Sequence, residues 1–225
     1  MPDAPHIVSD VMTLPVVAVG RAARFKEIVR AMEQRQVSAV PVVEGEGRVV
    51  GVVSEADLLP KEEFRGRDLT RPERIRRRSE LAKAEALTAE ELMSRPAVTV
   101  RSHVTLAQAA RIMAVKHVKR LPVVDDEGRL RGIVSRGDLL KVFLRSDDDI
   151  EEEVRRTVVA YLFPTLGHAI HVSVQDGVVT LRGPVQDTSL IWVAERLVRA
   201  LEGVVSVESR LGGEDVGTGG AQTTR

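Results

Sequence analysis

The sequence contains no cysteine, and this absence excludes disulfides, thiol nucleophiles and thiolate metal sites. It also has no net charge, because 33 Lys and Arg residues balance 33 Asp and Glu residues, so overall charge indicates no polyanionic partner. No apolar run approaches the roughly 18 residues of a membrane span. The first residues, Met1–His6, lack the basic start and apolar core of a secretory signal, which favours a cytoplasmic protein. The 225 residues, 43% apolar and 29% charged, are typical of a globular protein of one or two domains.

The first part of the chain is an internal duplication. Residues 11–59 align with residues 92–140 without a gap. Aligned identical pairs include Met12 with Met93, Pro15 with Pro96, Val17 with Val98, Met32 with Met113, and Gly51 with Gly132. So many matches in one register identify two copies of one structural unit.

Each copy follows the order β-α-β-β-α. A short extended stretch (Val16–Val19 in the first copy) precedes a helix whose apolar residues recur at i, i+3, i+4 and i+7. A buried strand, a Gly-containing turn and a second strand then form a hairpin, and a helix begins at a Ser-x-x-Asp turn. A unit this small cannot bury its own helix faces. The sequence therefore predicts a mixed α and β fold in which the two copies pack as a pseudo-symmetric pair.

The Ser-x-x-Asp turns are the strongest functional signal. They are Ser54 to Asp57 in the first copy and Ser135 to Asp138 in the second. The start of a helix suits an anion, and a carboxylate can accept hydrogen bonds from both hydroxyls of a ribose. The same residues also form an ordinary helix N-cap with an acidic third position.

Both copies resemble the CBS domain, and two in tandem are similar to a Bateman module. The resemblance covers residues 7–145 and rests on two motifs that occur twice, an apolar-Pro-Val-Val strand and Gly-x-x-Ser-x-x-Asp. It implies that clefts between the repeats bind an adenine nucleotide or adenosyl ligand, such as AMP, ADP, ATP or S-adenosylmethionine. It further implies that Ser lies near the phosphates, that Asp binds the ribose, and that the protein is a homodimer.

Eight residues are candidate ligand-binding residues. They are Ser54, Asp57, Thr99, Lys119, Arg120, Ser135, Arg136 and Asp138. The three cationic positions belong to the second copy, where the first copy has Ser38, Ala39 and Glu55. Because cations strengthen phosphate binding, we hypothesise that the cleft of Ser135 and Asp138 holds phosphates more tightly. The alternative is that these charges lie on a solvated surface.

A basic segment separates the copies. Seven arginines lie between residues 65 and 78, and the composition from residue 73 to residue 87 favours a helix. Such a segment can meet RNA, acidic lipid or a nucleotide phosphate. It lacks the interleaved aromatic residues of a nucleic-acid surface, which favours a solvated or dimer-contacting helix. Nucleic acid is not an expected partner.

The last unit follows the order α-β-β-α-β. A hairpin turn at Asp176-Gly177 joins two alternating strands, and Gly183-Pro184 is expected to end the second. Asp147-Asp148-Asp149 are expected to offset a helix dipole and not to bind metal. Trp192 is expected in the core or at an interface.

This unit resembles a BON domain through residues 172–183 and 203–207. The resemblance implies an interaction module for a protein partner or a membrane surface.

The segments so predicted are residues 7–60 and 88–145 (CBS repeats), 61–87 (basic helical linker), 147–211 (BON domain) and 212–225 (disordered tail). The five histidines form no catalytic or metal-binding grouping, so no enzyme, cofactor or metal site is expected. The favoured function is a non-catalytic regulatory sensor that binds an adenosine ligand between the CBS repeats and signals through the BON domain. The alternative is a constitutive scaffold or membrane adapter whose clefts are purely structural.

Overall fold

The computed structural model describes residues 6–212, which divide into two compact units, 6–139 and 140–212. The division lies between Leu139 and Leu140, whereas the predicted end of the second repeat is residue 145. Within the described residues no helix is long and apolar enough to cross a membrane. The predicted disordered tail lies outside the described residues, except for Gly212, which ends a strand.

The first unit contains both repeats and the linker between them. The first repeat consists of α1 (Val8–Val11), β1 (Val19–Gly20), α2 (Phe25–Arg35), β2 (Ala39–Glu44), β3 (Arg48–Ser54), α3 (Glu55–Leu58) and α4 (Pro60–Glu63). The linker forms α5 (Arg71–Arg76) and α6 (Arg78–Glu85). The second repeat consists of α7 (Ala89–Leu92), β4 (Val100–Arg101), α8 (Leu106–Val115), β5 (Arg120–Val124), β6 (Leu130–Ser135) and α9 (Arg136–Leu139).

The two repeats have the same sheet topology. In each, the first strand runs parallel to the second, and the second pairs antiparallel with the third. This arrangement confirms the predicted β-α-β-β-α order. The first strand is shorter than expected, since only Val19–Gly20 and Val100–Arg101 pair. The residues before them line clefts, as described below.

The core of the first repeat lies between α2 and its sheet. Ile28 and Met32, on one face of α2, are buried against Val40, Val42 and Val53 of β2 and β3. Each such apolar side chain contributes about 1.5–3 kcal/mol on burial. The helical spacing in the sequence therefore identifies the buried face correctly.

The first helix of each repeat packs with the other repeat. The backbone N–H of Ala89, in α7, donates to Ala23 O at 2.8 Å, and Leu92 and Met93 belong to the core of the first repeat. In the opposite direction, Val8 of α1 donates to Val104 O at 2.9 Å. The two repeats thus exchange their first helices, α1 and α7, when they pack together.

The second unit begins with a 3-10 helix, Leu140–Leu144. It continues with α10 (Asp147–Val154), a π-helical turn (Arg155–Val159), α11 (Ala160–Leu162), β7 (His171–Gln175), β8 (Val178–Pro184), α12 (Ser189–Arg199) and β9 (Ser206–Gly212). Strand β8 pairs antiparallel with β7 and parallel with β9, which confirms the α-β-β-α-β order. The expected end of the second strand at Gly183-Pro184 is confirmed, because β8 ends at Pro184, which pairs with Gly212 of β9.

Asp147 stabilises the hairpin of the second unit. Its Oδ2 and Oδ1 atoms accept hydrogen bonds from the backbone N–H groups of Asp176 and Gly177, both at 2.8 Å. Asp176 and Gly177 have φ values of 51° and 73°, as a tight hairpin turn requires. Trp192 is 59% exposed, so its alternative placement in the core is wrong.

Candidate ligand-binding clefts

Each Ser-x-x-Asp turn closes on itself. In the first repeat, the Ser54 N–H and the Ser54 hydroxyl both donate to Asp57 Oδ2 at 2.7 Å. In the second, Ser135 donates to Asp138 Oδ2 in the same way, from N–H at 2.9 Å and from the hydroxyl at 2.7 Å. One oxygen of each carboxylate therefore serves as a helix cap. Both turns therefore form the helix caps that the sequence predicts.

The Asp57 carboxylate is buried and has further partners. Asp57 is only 7% exposed. Its Oδ1 atom forms an ion pair with Lys83 Nζ, from linker helix α6, and lies 3.5 Å from the Ser94 hydroxyl. Sequence reasoning missed both partners. Ser94 aligns with Thr13 of the first copy, so the duplication could have drawn attention to it, whereas Lys83 has no counterpart in either copy.

A cleft of about 320 Å³ lies between the repeats at Asp57. We call it the Asp57 cleft. Its lining residues are Ser38, Ala39, Val52, Ser54, Glu55, Ala56, Asp57, Ser94, Pro96, Ala97, Val98, His117, Val118, Lys119 and Arg120. The cleft brings together four of the eight candidate residues, with hydroxyl and carboxylate groups from one repeat and two cations from the other.

A second cleft, of about 520 Å³, is lined by residues near the start of the first repeat. Most of these residues align with second-repeat residues that line the Asp57 cleft. We call it the Thr13 cleft. Its lining residues are Thr13, Pro15, Val16, Val17, Ala18, Ala31, Gln34, Arg35, Val37, Ala39, Arg120 and Ile133. Arg120 contributes to both clefts, because it starts the strand at the boundary between the repeats.

The remaining candidate residues line neither cleft. Thr99 directly follows the lining residue Val98. Ser135 and Asp138 are engaged with each other, and Arg136 Nη2 donates to the carbonyl oxygen of Val118 at 3.1 Å. These four residues therefore line neither cleft, although Ser135 pairs with Arg120 in the sheet and the Arg136 N–H donates to the Lys119 carbonyl oxygen at 3.1 Å.

The hypothesis of tighter phosphate binding at Ser135 and Asp138 stays a prediction, but it depends on cations that lie elsewhere in the structure. Lys119 belongs to the second copy, yet it lines the cleft of Ser54 and Asp57. The reason is that each cleft takes its residues from both copies, whereas aligned positions compare one copy with the other. Glu55, which opposes phosphate, lines the same cleft as Lys119.

The linker helices are attached to the first repeat. Lys61 Nζ, on α4, donates to Ala84 O of α6 at 2.7 Å. The Arg77 guanidinium lies 2.6 Å from Glu63 and 4.6 Å from the centre of the Phe64 ring. Its hydrogen bond holds the pKa of Glu63 below the ordinary value of 4.5. The helical linker is therefore docked on the repeat, while six of its seven arginines between residues 65 and 78 are exposed.

No group of three or more His, Asp or Glu side chains that could hold a metal ion occurs within residues 6–212. Asp147, the first of the three consecutive aspartates, contributes the hairpin contacts described above.

Comparison with known protein families matches the sequence to two domain types. The CBS domain matches residues 8–61 and 89–145, and the BON domain matches residues 146–212. The tandem pair and the domain that follows it are thus confirmed.

Individual relatives match about three fifths of this chain. An uncharacterized protein of Methanocaldococcus jannaschii, MJ1426, is 29% identical in an alignment of 154 residues that covers 61% of this chain and 91% of that protein. The CBS domain-containing protein YhcV of Bacillus subtilis is 32% identical over 132 residues, which are 59% of this chain and 81% of that protein.

A solved structure is similar in fold. The crystal structure of CBSX2 from Arabidopsis thaliana in complex with AMP superposes with a TM-score of 0.54 and 29% identity, covering 62% of this chain and 97% of that one. With two CBS domains that exchange their leading helices and a third unit of BON topology, the chain belongs to the family of paired CBS-domain proteins and carries a BON domain after the pair.

Proposed function

We propose that this protein is a non-catalytic regulatory sensor that binds an adenine nucleotide or adenosyl ligand in the Asp57 cleft. The observation that carries the proposal is the composition of that cleft. Ser54 and Asp57 offer a hydroxyl and a carboxylate, and Lys119 and Arg120 offer two cations across about 320 Å³. A carboxylate suits ribose hydroxyls and the cations suit phosphate oxygens.

The similar CBSX2 structure supports AMP as the first ligand to test, because it was solved in complex with AMP. ADP, ATP and S-adenosylmethionine share the adenosine group and remain candidates. In the proposed mechanism, ligand binding changes the packing of the repeats, and the BON domain conveys the change to a protein partner or a membrane surface. The repeats pair in a homodimer, as the family resemblance implies.

The test is unfolding of the full-length protein against AMP, ADP, ATP and S-adenosylmethionine. A ligand that binds only the folded protein stabilises it by about 2.7 kcal/mol at one hundred times its dissociation constant. We expect a concentration-dependent rise in Tm with at least one ligand, confirmed by calorimetric titration. Asp57→Asn should abolish most of the rise.

The matched control is Asp138→Asn, which changes the same motif in the other repeat and does not line the Asp57 cleft. Equal losses in the two variants would contradict the assignment to this cleft. The absence of any shift, with protein shown to be ligand-free, would contradict the sensor function.

One observation favours a second function, that of a scaffold or membrane adapter with structural clefts. The carboxylate of Asp57 already has protein partners on both oxygens. In that case the full-length protein binds its partner or anionic vesicles with equal affinity in the presence and absence of every nucleotide tested. A nucleotide-dependent change in binding would exclude the scaffold.

A further inference from the structure

Lys83, on the linker, occupies the carboxylate that the proposed function assigns to the ligand. Its side chain is 27% exposed, whereas the side chain of Asp57 is 9% exposed. The ammonium group bonds Oδ1, the oxygen that the helix cap leaves available. The contact spans 26 positions of the sequence, so it ties the linker to the first repeat.

All the acceptor positions of the Asp57 carboxylate are occupied by protein donors when no ligand is bound. An ionised carboxylate offers about four acceptor positions. The N–H and the hydroxyl of Ser54 occupy Oδ2, while Lys83 and the more distant Ser94 hydroxyl face Oδ1. A ribose that uses both oxygens must therefore displace a donor.

Among the donors in close contact with Asp57, which exclude the Ser94 hydroxyl at 3.5 Å, Lys83 can leave most readily. Ser54 is fixed at the end of β3, and its two hydrogen bonds cap α3. Lys83 reaches Asp57 through a flexible side chain from a linker helix, and its ammonium group is well solvated once released. Ligand entry therefore exchanges an internal cation for ribose hydroxyls.

We propose that Lys83 is an internal competitor for the ribose-binding carboxylate, so that ligand binding in the Asp57 cleft releases linker helix α6 from the first repeat. This inference rests on the proposed function and adds its mode of regulation. The two states are a docked linker with the Lys83–Asp57 pair and an undocked linker with the ligand on Asp57. Because coupling between two sites is reciprocal, any partner that pulls the linker away strengthens ligand binding.

The linker has other contacts that do not involve the carboxylate. Lys61 bonds the carbonyl of Ala84, and Arg77 bonds Glu63. These contacts allow the competition for Asp57 to be separated from the docking of α6. Loss of Lys61 loosens the same helix but leaves Asp57 paired.

The experiment compares AMP affinity of the wild type, Lys83→Met and Lys61→Met by calorimetric titration of the full-length protein. A competitor in place about nine tenths of the time raises the apparent dissociation constant about tenfold. We therefore expect Lys83→Met to bind AMP about tenfold more tightly. Lys61→Met weakens the docking of α6 but leaves Lys83 on Asp57, so it should strengthen AMP binding by less than about threefold.

A second measurement uses the unaltered protein. In hydrogen exchange, saturating AMP should increase the exchange of the backbone amides of α6 and decrease the exchange around α3. If Lys83→Met fails to fold, Lys83→Gln and this measurement on the wild type give the answer independently.

Each outcome has a distinct meaning. Equal AMP affinity in the wild type and Lys83→Met, or increased protection of α6 by AMP, overturns the competition and leaves the proposed function intact. Weaker binding by Lys83→Met makes Lys83 a ligand-binding residue and also overturns the competition. No AMP binding by any variant overturns the proposed function for AMP itself.

Discussion

Met93 packs its side chain over Gly51 of the other repeat, and a Cβ at Gly51 would lie 2.4 Å from Met93 Sδ. The second repeat shows the same contact, since a Cβ at Gly132 would lie 2.4 Å from Met12 Sδ. Each strand glycine thus contacts the methionine that ends the first helix of the opposite repeat. The two contacts hold the exchanged segments in place.

Gly51→Ala should destabilise the repeat pair by about 1–3 kcal/mol, because the added methyl group overpacks a filled contact. Gly132→Ala should be milder, since the nearest rigid atom, Met12 Cβ, is 3.4 Å away, whereas Met93 Cβ is 2.9 Å from the Gly51 position. Urea unfolding measures both. Gly20→Ala, with no atom within 4 Å, is the control. A cost for Gly20→Ala as large as that for Gly51→Ala would contradict this account.

Lys119→Met should lower the affinity for AMP about two- to fivefold, the range expected for an exposed charge pair. Adenosine, which has no phosphate, should bind the variant and the wild type equally. Titration calorimetry with both ligands measures the difference. Lys116→Met removes a nearby charge outside the Asp57 cleft and serves as the control. Equal loss for adenosine and AMP would show that Lys119 does not face the phosphate.

Glu55→Gln should strengthen AMP binding about twofold, since it removes a carboxylate that repels phosphate in the Asp57 cleft. ATP, with more charge, should gain more than AMP. The ratio of the two affinities in competition titrations is the measurement. Glu33→Gln, outside this cleft, should leave the ratio unchanged. A fall in ATP affinity in Glu55→Gln would reverse the assigned role.

The Glu63–Arg77 contact should make linker docking sensitive to acid. Arg77 holds the pKa of Glu63 below its ordinary value of 4.5. A carboxylate with a depressed pKa stabilises the folded state above its unfolded pKa, and this stabilisation is lost as the pH falls through the folded pKa. The difference in unfolding free energy between wild type and Glu63→Gln should therefore be constant above about pH 4.5 and shrink below it.

Glu62→Gln is the comparison for that titration, because its ion pair with Arg65 is more exposed, with side chains 68% and 73% exposed. A difference for Glu63→Gln that is independent of pH down to the acid transition would argue against the ion pair as its source.

Asp147→Ala should destabilise the second unit by about 1–3 kcal/mol, because two backbone N–H groups of the hairpin turn lose their acceptor. Asp148→Ala, at an exposed neighbouring position, should cost much less. Thermal unfolding of the full-length variants, followed by hydrogen exchange of the turn amides, measures the two effects. Equal costs would show that the aspartates act only through the helix dipole.

The local architecture could be predicted because it depends on short-range patterns. The spacing of Ile28 and Met32 identifies the buried face of α2, and Asp176-Gly177 identifies a hairpin from two residues. The duplication adds the expectation that two equal units pack together. These signals depend on neighbouring residues of the same element.

The composition of the clefts could not be predicted in the same way. Lys119 lines the same cleft as Ser54 and Asp57 because each cleft takes its residues from both repeats, and an alignment of the copies carries no information on that pairing. Lys83 reaches Asp57 from a linker with no counterpart in either repeat. Such contacts depend on the tertiary path of the chain and require the structure.

The exchange of α1 and α7 means that neither repeat is an independent folding unit. The first repeat completes its core with Leu92 and Met93 from the start of the second, and α1 bonds to Val104 of the second repeat in return. A single repeat would lose the buried contacts of the helix that the other repeat supplies, so the pair is the smallest part of the chain that can bury its apolar faces.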